Sequence, residues 1–178
     1  MSRTLTLVLI VAISTAWLEA QGQRKEIAQM NSQERNHAVG KSQIETHPRK
    51  HAEAKITVHS SEAKPYDQAE SPALAEVQLN ETFTGDLDGE SPVRALQVLR
   101  HDHSANLVSV QRFTGKLGGR EGTFVLQGQE TVENGKIKAT WFIVPGSGTG
   151  DLVGLRGTGG FEGQFGKGST GTLDYWFE

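Results

Sequence analysis

Three polar residues stand where the alternation of apolar side chains predicts an inward-facing residue. Glu81 has the same parity as Leu79 and Phe83, and Gln111 and Glu130 stand in the same relation to apolar residues of their own segments. Side chains two residues apart on a strand point to the same face. A carboxylate buried in this way has a perturbed pKa, and such groups are concentrated at functional sites. The alternatives are a β-bulge that reverses the parity, or a position at the solvated mouth of a barrel.

The other candidates for chemistry lack the structural context that their chemistry requires. The glycine-rich segment Val144–Leu152 could present N–H groups to a phosphate, but no helix pattern follows it and the lysine of a P-loop is missing. His101 and His103 flank Asp102 without a third metal ligand at a familiar spacing. Ser147 lies between two glycines but not in a nucleophile elbow. We therefore predict that Val144–Leu152 is a structural corner built from glycines and that residues 101–103 form a solvated turn. We predict neither a metal site nor a cofactor.

Composition excludes several classes of protein. The 178 residues contain no cysteine, which excludes disulfides, thiolate nucleophiles and iron–sulfur clusters. Eighteen basic and 21 acidic residues give a formal net charge of -3, and only a weak basic cluster occurs, at Arg49, Lys50 and Lys55. Nucleic-acid binders usually show a basic patch, so no nucleic-acid partner is expected.

Residues 1–20 have the order of regions found in a cleavable export signal. Arg3 supplies the positive region, Thr4–Trp17 the apolar region, and Ala20 a small residue before a cleavage point at Gln21. The apolar run is shorter than the roughly 20 residues of a membrane-spanning helix. We predict a secreted or periplasmic protein without stable membrane insertion after cleavage near Ala20, and a mature N-terminus near Gln21 by mass spectrometry is the test.

The rest of the chain divides into a spacer and a β-rich domain. Residues 21–53 contain few bulky apolar side chains, so we predict a disordered spacer there. Nineteen of the 21 glycines follow residue 80, and short runs rich in Val, Ile, Thr, Phe and Trp separate them. This pattern predicts a sandwich or barrel over residues 54–178. The eight predicted strands are Ala54–His59, Leu74–Thr84, Pro92–Arg100, Ala105–Gly115, Gly122–Thr131, Lys136–Pro145, Gly154–Glu162 and Gly171–Phe177.

Turn signals favour a meander of antiparallel hairpins. Asn134 and Gly135 form the strongest short-range hairpin signal. The segment Phe83–Gly89 is echoed thirty positions later by Phe113–Gly119, which predicts two hairpins of similar geometry. This arrangement suits a barrel whose strands follow one another in sequence order.

The segment from Ala54 to the C-terminus resembles the bacterial domain-of-unknown-function family 3224. The resemblance implies an all-β domain with a single antiparallel eight-stranded barrel, similar in architecture to plant allene oxide cyclases and dirigent proteins. Those plant proteins act on small apolar molecules. Family members often carry an acidic residue where Gln111 stands and a histidine where Gly128 stands, so this chain departs from the pattern at both. The matching pieces are Phe83–Gly89, Arg112–Gln127, Val144–Leu152 and Leu173–Tyr175.

Three functional hypotheses follow. The first is an exported barrel that binds a small, largely apolar molecule in its lumen. The second is a cyclase or isomerase similar to allene oxide cyclase, in which Glu81 would stabilise a cationic transition state. The third is a non-catalytic interaction module that presents Trp176 on its outer wall to a partner, a homo-oligomer included. The predicted ligand-binding residues are Glu81, Gln111, Gln127, Trp141 and Tyr175.

Overall fold

The computed structural model describes residues 47–67, 69–164 and 167–178. The predicted export signal and residues 21–46 of the predicted spacer lie outside the described residues and stay predictions, whereas residues 50–53 of the predicted disordered spacer belong to a strand. The eight strands are β1 Lys50–Pro65, β2 Ala73–Gly85, β3 Leu87–Leu99, β4 Ala105–Leu117, β5 Arg120–Glu133, β6 Lys136–Ile143, β7 Leu155–Gln164 and β8 Gly168–Phe177.

The strands form one closed antiparallel barrel in sequence order. Each strand pairs with its neighbours in the chain, and β1 pairs with β8 to close the sheet. The described part of the chain has a single helical element, one 3-10 turn at Gly150–Leu152. The prediction of an all-β, eight-stranded antiparallel barrel is therefore confirmed. None of the residues that the structure describes forms a helix long and apolar enough to cross a membrane.

The first strand is longer than its sequence pattern predicts. It begins at Lys50 rather than Ala54, because Ala52 already faces the interior opposite Leu173 of β8. It pairs with β8 only over Lys50–Ile56 and continues to Pro65 paired with β2 alone. A register shift lies between Val58 and Ser60, and the side chains of residues 57–65 are exposed. This half of β1 is polar and lacks apolar alternation, which is why the sequence pattern ends early.

The apolar core lies towards one end of the barrel, which we call the closed end. The hairpins β2–β3 and β4–β5 and the β6–β7 connection meet there, because alternate connections of an up-and-down barrel share an end. The Phe113 ring lies at its centre, with its centroid 5.6 Å from that of Phe83 and 4.8 Å from that of Phe124. The buried core cluster consists of Ala52, Ala54, Ile56, Phe83, Leu87, Phe113, Leu117, Phe124, Leu126, Trp141, Ile143, Leu152, Leu155, Leu173 and Tyr175.

The glycine-rich segment between β6 and β7 contributes to the closed end. It inserts Leu152, which is fully buried, into the core. A Cβ at Gly148 would lie 1.9 Å from the Leu152 carbonyl oxygen, so only glycine fits this corner. The Ser147 hydroxyl accepts a hydrogen bond from the Val125 N–H at 3.0 Å, and that of Thr149 accepts one from the Thr123 N–H at 3.0 Å. The segment is therefore a structural corner attached to β5.

The echoed segments share the backbone conformation of one glycine, but the prediction of two similar hairpins is wrong. The register pair nearest the turn is Phe83 with Gly89 in β2–β3 and Leu117 with Arg120 in β4–β5. Gly85 and Gly115 have φ of 143° and 153°. A Cβ would lie 2.6 Å from the Glu53 carbonyl oxygen at Gly85 and 2.2 Å from that of Asp88 at Gly115. Both glycines thus let a strand end pass close to the neighbouring backbone.

Candidate ligand-binding lumen

A cavity of about 600 Å³ occupies the barrel at the end opposite the closed end. Residues near the β1–β2, β3–β4, β5–β6 and β7–β8 connections line it, and these connections share the other end of the barrel. Its apolar walls include Leu79, Val93, Leu107, Ile137 and Phe161. The barrel is therefore filled by side chains at one end and hollow at the other.

A polar band runs across one wall of the interior. The buried polar side chains of the described residues all occupy inward positions on the consecutive strands β2 to β5. Four of them line the cavity, and Ser91 is buried beside Glu81, its partner in the β2–β3 register. These residues are Glu81, Ser91, Ser109, Gln111 and Glu130.

Glu130 is held in place on one side only. The Ser109 hydroxyl donates a 2.5 Å hydrogen bond to its Oε1 atom, whereas Oε2 is buried and has no hydrogen-bond partner within the described chain. Gly128 makes room for this contact, because a Cβ there would lie 2.9 Å from both Glu130 Oε1 and Ser109 Oγ. A larger residue at this position would displace the carboxyl group.

Glu81 faces the same cavity, and the structure describes no hydrogen bond or ion pair to its side chain. Burial, followed by repulsion from the Glu130 carboxylate, raises the pKa of Glu81 to about 7. Burial also raises the pKa of Glu130, against the opposing effect of the Ser109 hydrogen bond. The lumen thus holds two carboxyl groups whose charges burial disfavours.

An aromatic pair lies on the strands away from this polar band. The Trp141 indole N–H donates to the Thr172 carbonyl oxygen at 3.1 Å, and its ring centroid lies 5.4 Å from that of Phe161. Two glycines accommodate the indole. A Cβ at Gly159 would lie 2.8 Å from Trp141 Nε1, and a Cβ at Gly171 would lie 3.1 Å from Cη2. The ring is therefore fixed by its surroundings and lines the cavity.

Three of the five predicted site residues come together in the cavity, namely Glu81, Gln111 and Trp141. The placement of Gln127 in the lumen was wrong. Its side chain is exposed on the outer surface, because the inward positions of β5 are the even-numbered ones. Tyr175 faces inward, but it belongs to the closed-end core and does not line the cavity.

Sequence reasoning missed Ser109 and Phe161 as cavity residues. Ser109 was detectable, because it stands two residues before Gln111 on an inward-facing row. Phe161 was not, because the glycines around it in β7 remove the apolar alternation that marks an inward face. Trp176 lies on the outer wall as predicted by parity, but it is half-buried, with the Arg49 guanidinium 4.9 Å from its ring centroid.

The fold and the cavity define a small antiparallel barrel with a lumen that is open at one end. The family model described as "Protein of unknown function (DUF3224)" matches residues 52–178, and the chain belongs to this family. The chain is also similar to the crystal structure of a DUF3224 protein of unknown function from Shewanella oneidensis MR-1. The two share 27% sequence identity with a TM-score of 0.58, over 74% of this chain and 98% of that one. No curated protein matches the sequence.

Proposed function

We propose that this protein binds one small, largely apolar molecule in the lumen of its barrel. The observation that carries the proposal is the one-ended cavity of about 600 Å³. Cavities of this size, with apolar walls and a few converging polar groups, are typical of small-molecule sites. Gln111 and the two carboxyl groups supply the polar groups, and Trp141 with Phe161 supplies rigid apolar area.

A neutral fluorescent dye tests the proposal with a matched pair of variants. We expect a propionyl-dimethylamino-naphthalene dye to bind the full-length protein with a blue shift in its emission. Ala95 is buried and lines the cavity, whereas the adjacent Leu96 is 52% exposed on the outer face. Ala95→Phe fills the lumen and should weaken dye binding at least about tenfold, which is about 1.4 kcal/mol. Leu96→Phe should leave dye binding unchanged. A folded Ala95→Phe protein that binds the dye as tightly as wild type would reject a lumenal site.

Catalysis of a cyclisation or isomerisation is a second candidate, and one observation favours it. Glu81 faces the lumen with a pKa of about 7, which suits a group that exchanges a proton or balances a developing cation at neutral pH. The expected result is stereoselective ring closure of an unsaturated epoxide by wild type, with the selectivity lost in Glu81→Gln. If the product ratios were the same with and without protein, catalysis would be rejected and ligand binding would remain the proposed function.

A further inference from the structure

The two carboxyl groups of the lumen lack any cationic partner in the described part of the chain. Glu81 and Glu130 are each 8% exposed, and neither forms an ion pair there. Glu130 Oε2 has no hydrogen-bond partner among the described residues, although it is buried. Buried carboxyl groups are normally paired or hydrogen-bonded, because an unpartnered one is costly. The unpartnered oxygen therefore points to a group that the bound ligand supplies.

We infer that the ligand of the lumen is an organic cation, an apolar molecule with one ammonium group that binds between Glu130 and Glu81. This inference rests on the proposed function and adds the chemical class of the ligand. The ammonium would donate to Glu130 Oε2, while Ser109 continues to donate to Oε1. The apolar part would contact Trp141 and Phe161, and aromatic faces attract cations as well as apolar groups.

The charges around the site fit a ligand with one positive charge. Among the described residues that line the cavity, Glu81 and Glu130 are the acidic ones, and Lys55 and Lys167 are the basic ones, both exposed at the open end. The partners of Glu81 on the adjacent strands are Val58 and Ser91, which do not titrate. A bound ammonium placed between the two carboxyl groups would favour the ionised form of both.

A divalent metal ion fits the site less well. No group of three or more His, Cys, Asp or Glu side chains in the described chain converges to hold a metal ion. Hard cations such as Ca²⁺ take six to eight oxygen ligands, and an aromatic wall offers none. The combination of two carboxyl groups with two aromatic rings instead suits an amphipathic amine.

Two naphthalene compounds of nearly equal shape provide the test. 1-Naphthylmethylamine is cationic at pH 8, and 1-naphthylmethanol is neutral. In full-length protein, we expect the amine to displace the dye at a concentration at least about tenfold lower than the alcohol requires, as for one well-placed ion pair. Between pH 8 and pH 6 this preference should fall by about tenfold. The ionised fraction of a carboxyl with a pKa of about 7 falls by that factor over this interval.

Variants separate the carboxyl groups from general effects on the barrel. Glu130→Gln and Glu81→Gln should each weaken the amine at least about tenfold more than they weaken the alcohol. Glu90→Gln is the control, since Glu90 is exposed on the outer face of β3.

The outcomes distinguish the inference from the proposed function. The inference of a cationic ligand would be rejected if the two compounds displaced the dye equally, if the alcohol displaced it more strongly, or if neither displaced it. The proposed lumenal binding site for the dye would be unaffected by these results. The same conclusion would follow if Ca²⁺ displaced the dye and the amine did not. If wild type did not bind the dye, the amine or the alcohol by calorimetry, both the proposed function and this inference would fail. The wild-type comparison alone decides the matter if a glutamine variant does not fold.

Discussion

Replacing Phe113 with alanine is expected to lower the free energy of unfolding by about 3–5 kcal/mol. The Phe113 side chain is fully buried, and its ring contacts those of Phe83 and Phe124 at the closed end. Alanine would leave a cavity bounded by these two rings. The cavity would not collapse, because each ring is held in place by its own strand. Small domains have a total stability of about 5–15 kcal/mol, so the loss would be a large fraction of it. Urea denaturation followed by circular dichroism measures the change.

The matched control is Phe142→Ala on β6. Phe142 is 40% exposed on the outer face, so its removal should change the free energy of unfolding by less than about 1 kcal/mol. Equal losses for the two variants would show that the closed-end core does not dominate the stability of the barrel.

Replacing Glu81 with glutamine is expected to stabilise the protein at pH 8 by up to about 3 kcal/mol, because each pKa unit corresponds to about 1.4 kcal/mol. Burial raises the pKa of this carboxyl from 4.5 to about 7 in the folded state. The folded protein therefore holds a proton that the unfolded chain releases between these two pH values. The stability of wild type falls as the pH rises through this window, and above pH 7 the full cost of ionising a buried group is present. Glutamine has no such cost.

Urea denaturation of both proteins from pH 4.5 to pH 8 measures this difference. The gap between variant and wild type should be small at the acidic end and widest at pH 8. Glu90→Gln, which removes an exposed carboxyl from the outer face, should show no comparable widening. A constant gap across the range would mean that Glu81 ionises freely in the folded protein, and the acidic lumen would then need another explanation.

Local alternation was enough to predict the order of the eight strands and the two buried acids of the described residues, but not the full length of β1. Glu81 and Glu130 stand on rows whose other members are apolar, and the structure buries both. The prediction of Gln127 as a lumenal residue assigns its side chain to the wrong face, because its neighbours Leu126 and Gly128 are the inward residues. Gln127 has the opposite parity to Glu130, so the alternation that places Glu130 inside also places Gln127 on the outer face.

Depth inside the barrel could not be predicted from the sequence. Tyr175 and Trp141 both face inward, yet one belongs only to the closed-end core and the other lines the cavity. Depth depends on the stagger between β1 and β8, which is set by long-range pairing and not by any local pattern. For the same reason the contact between Ser109 and Glu130 emerged only from the register of β4 against β5.

The extension of β1 beyond β8 leaves part of the described sheet with an unpaired edge. From Thr57 to Pro65, one edge of the strand has no partner strand in the described chain. An edge of this kind can add a strand from another molecule and start aggregation. Here the edge carries the ion pair of Lys64 with Glu62, whose N–O distance is 3.4 Å, and it ends at a proline, which cannot donate a hydrogen bond. These features disfavour the addition of a strand from another molecule to residues 57–65 of β1.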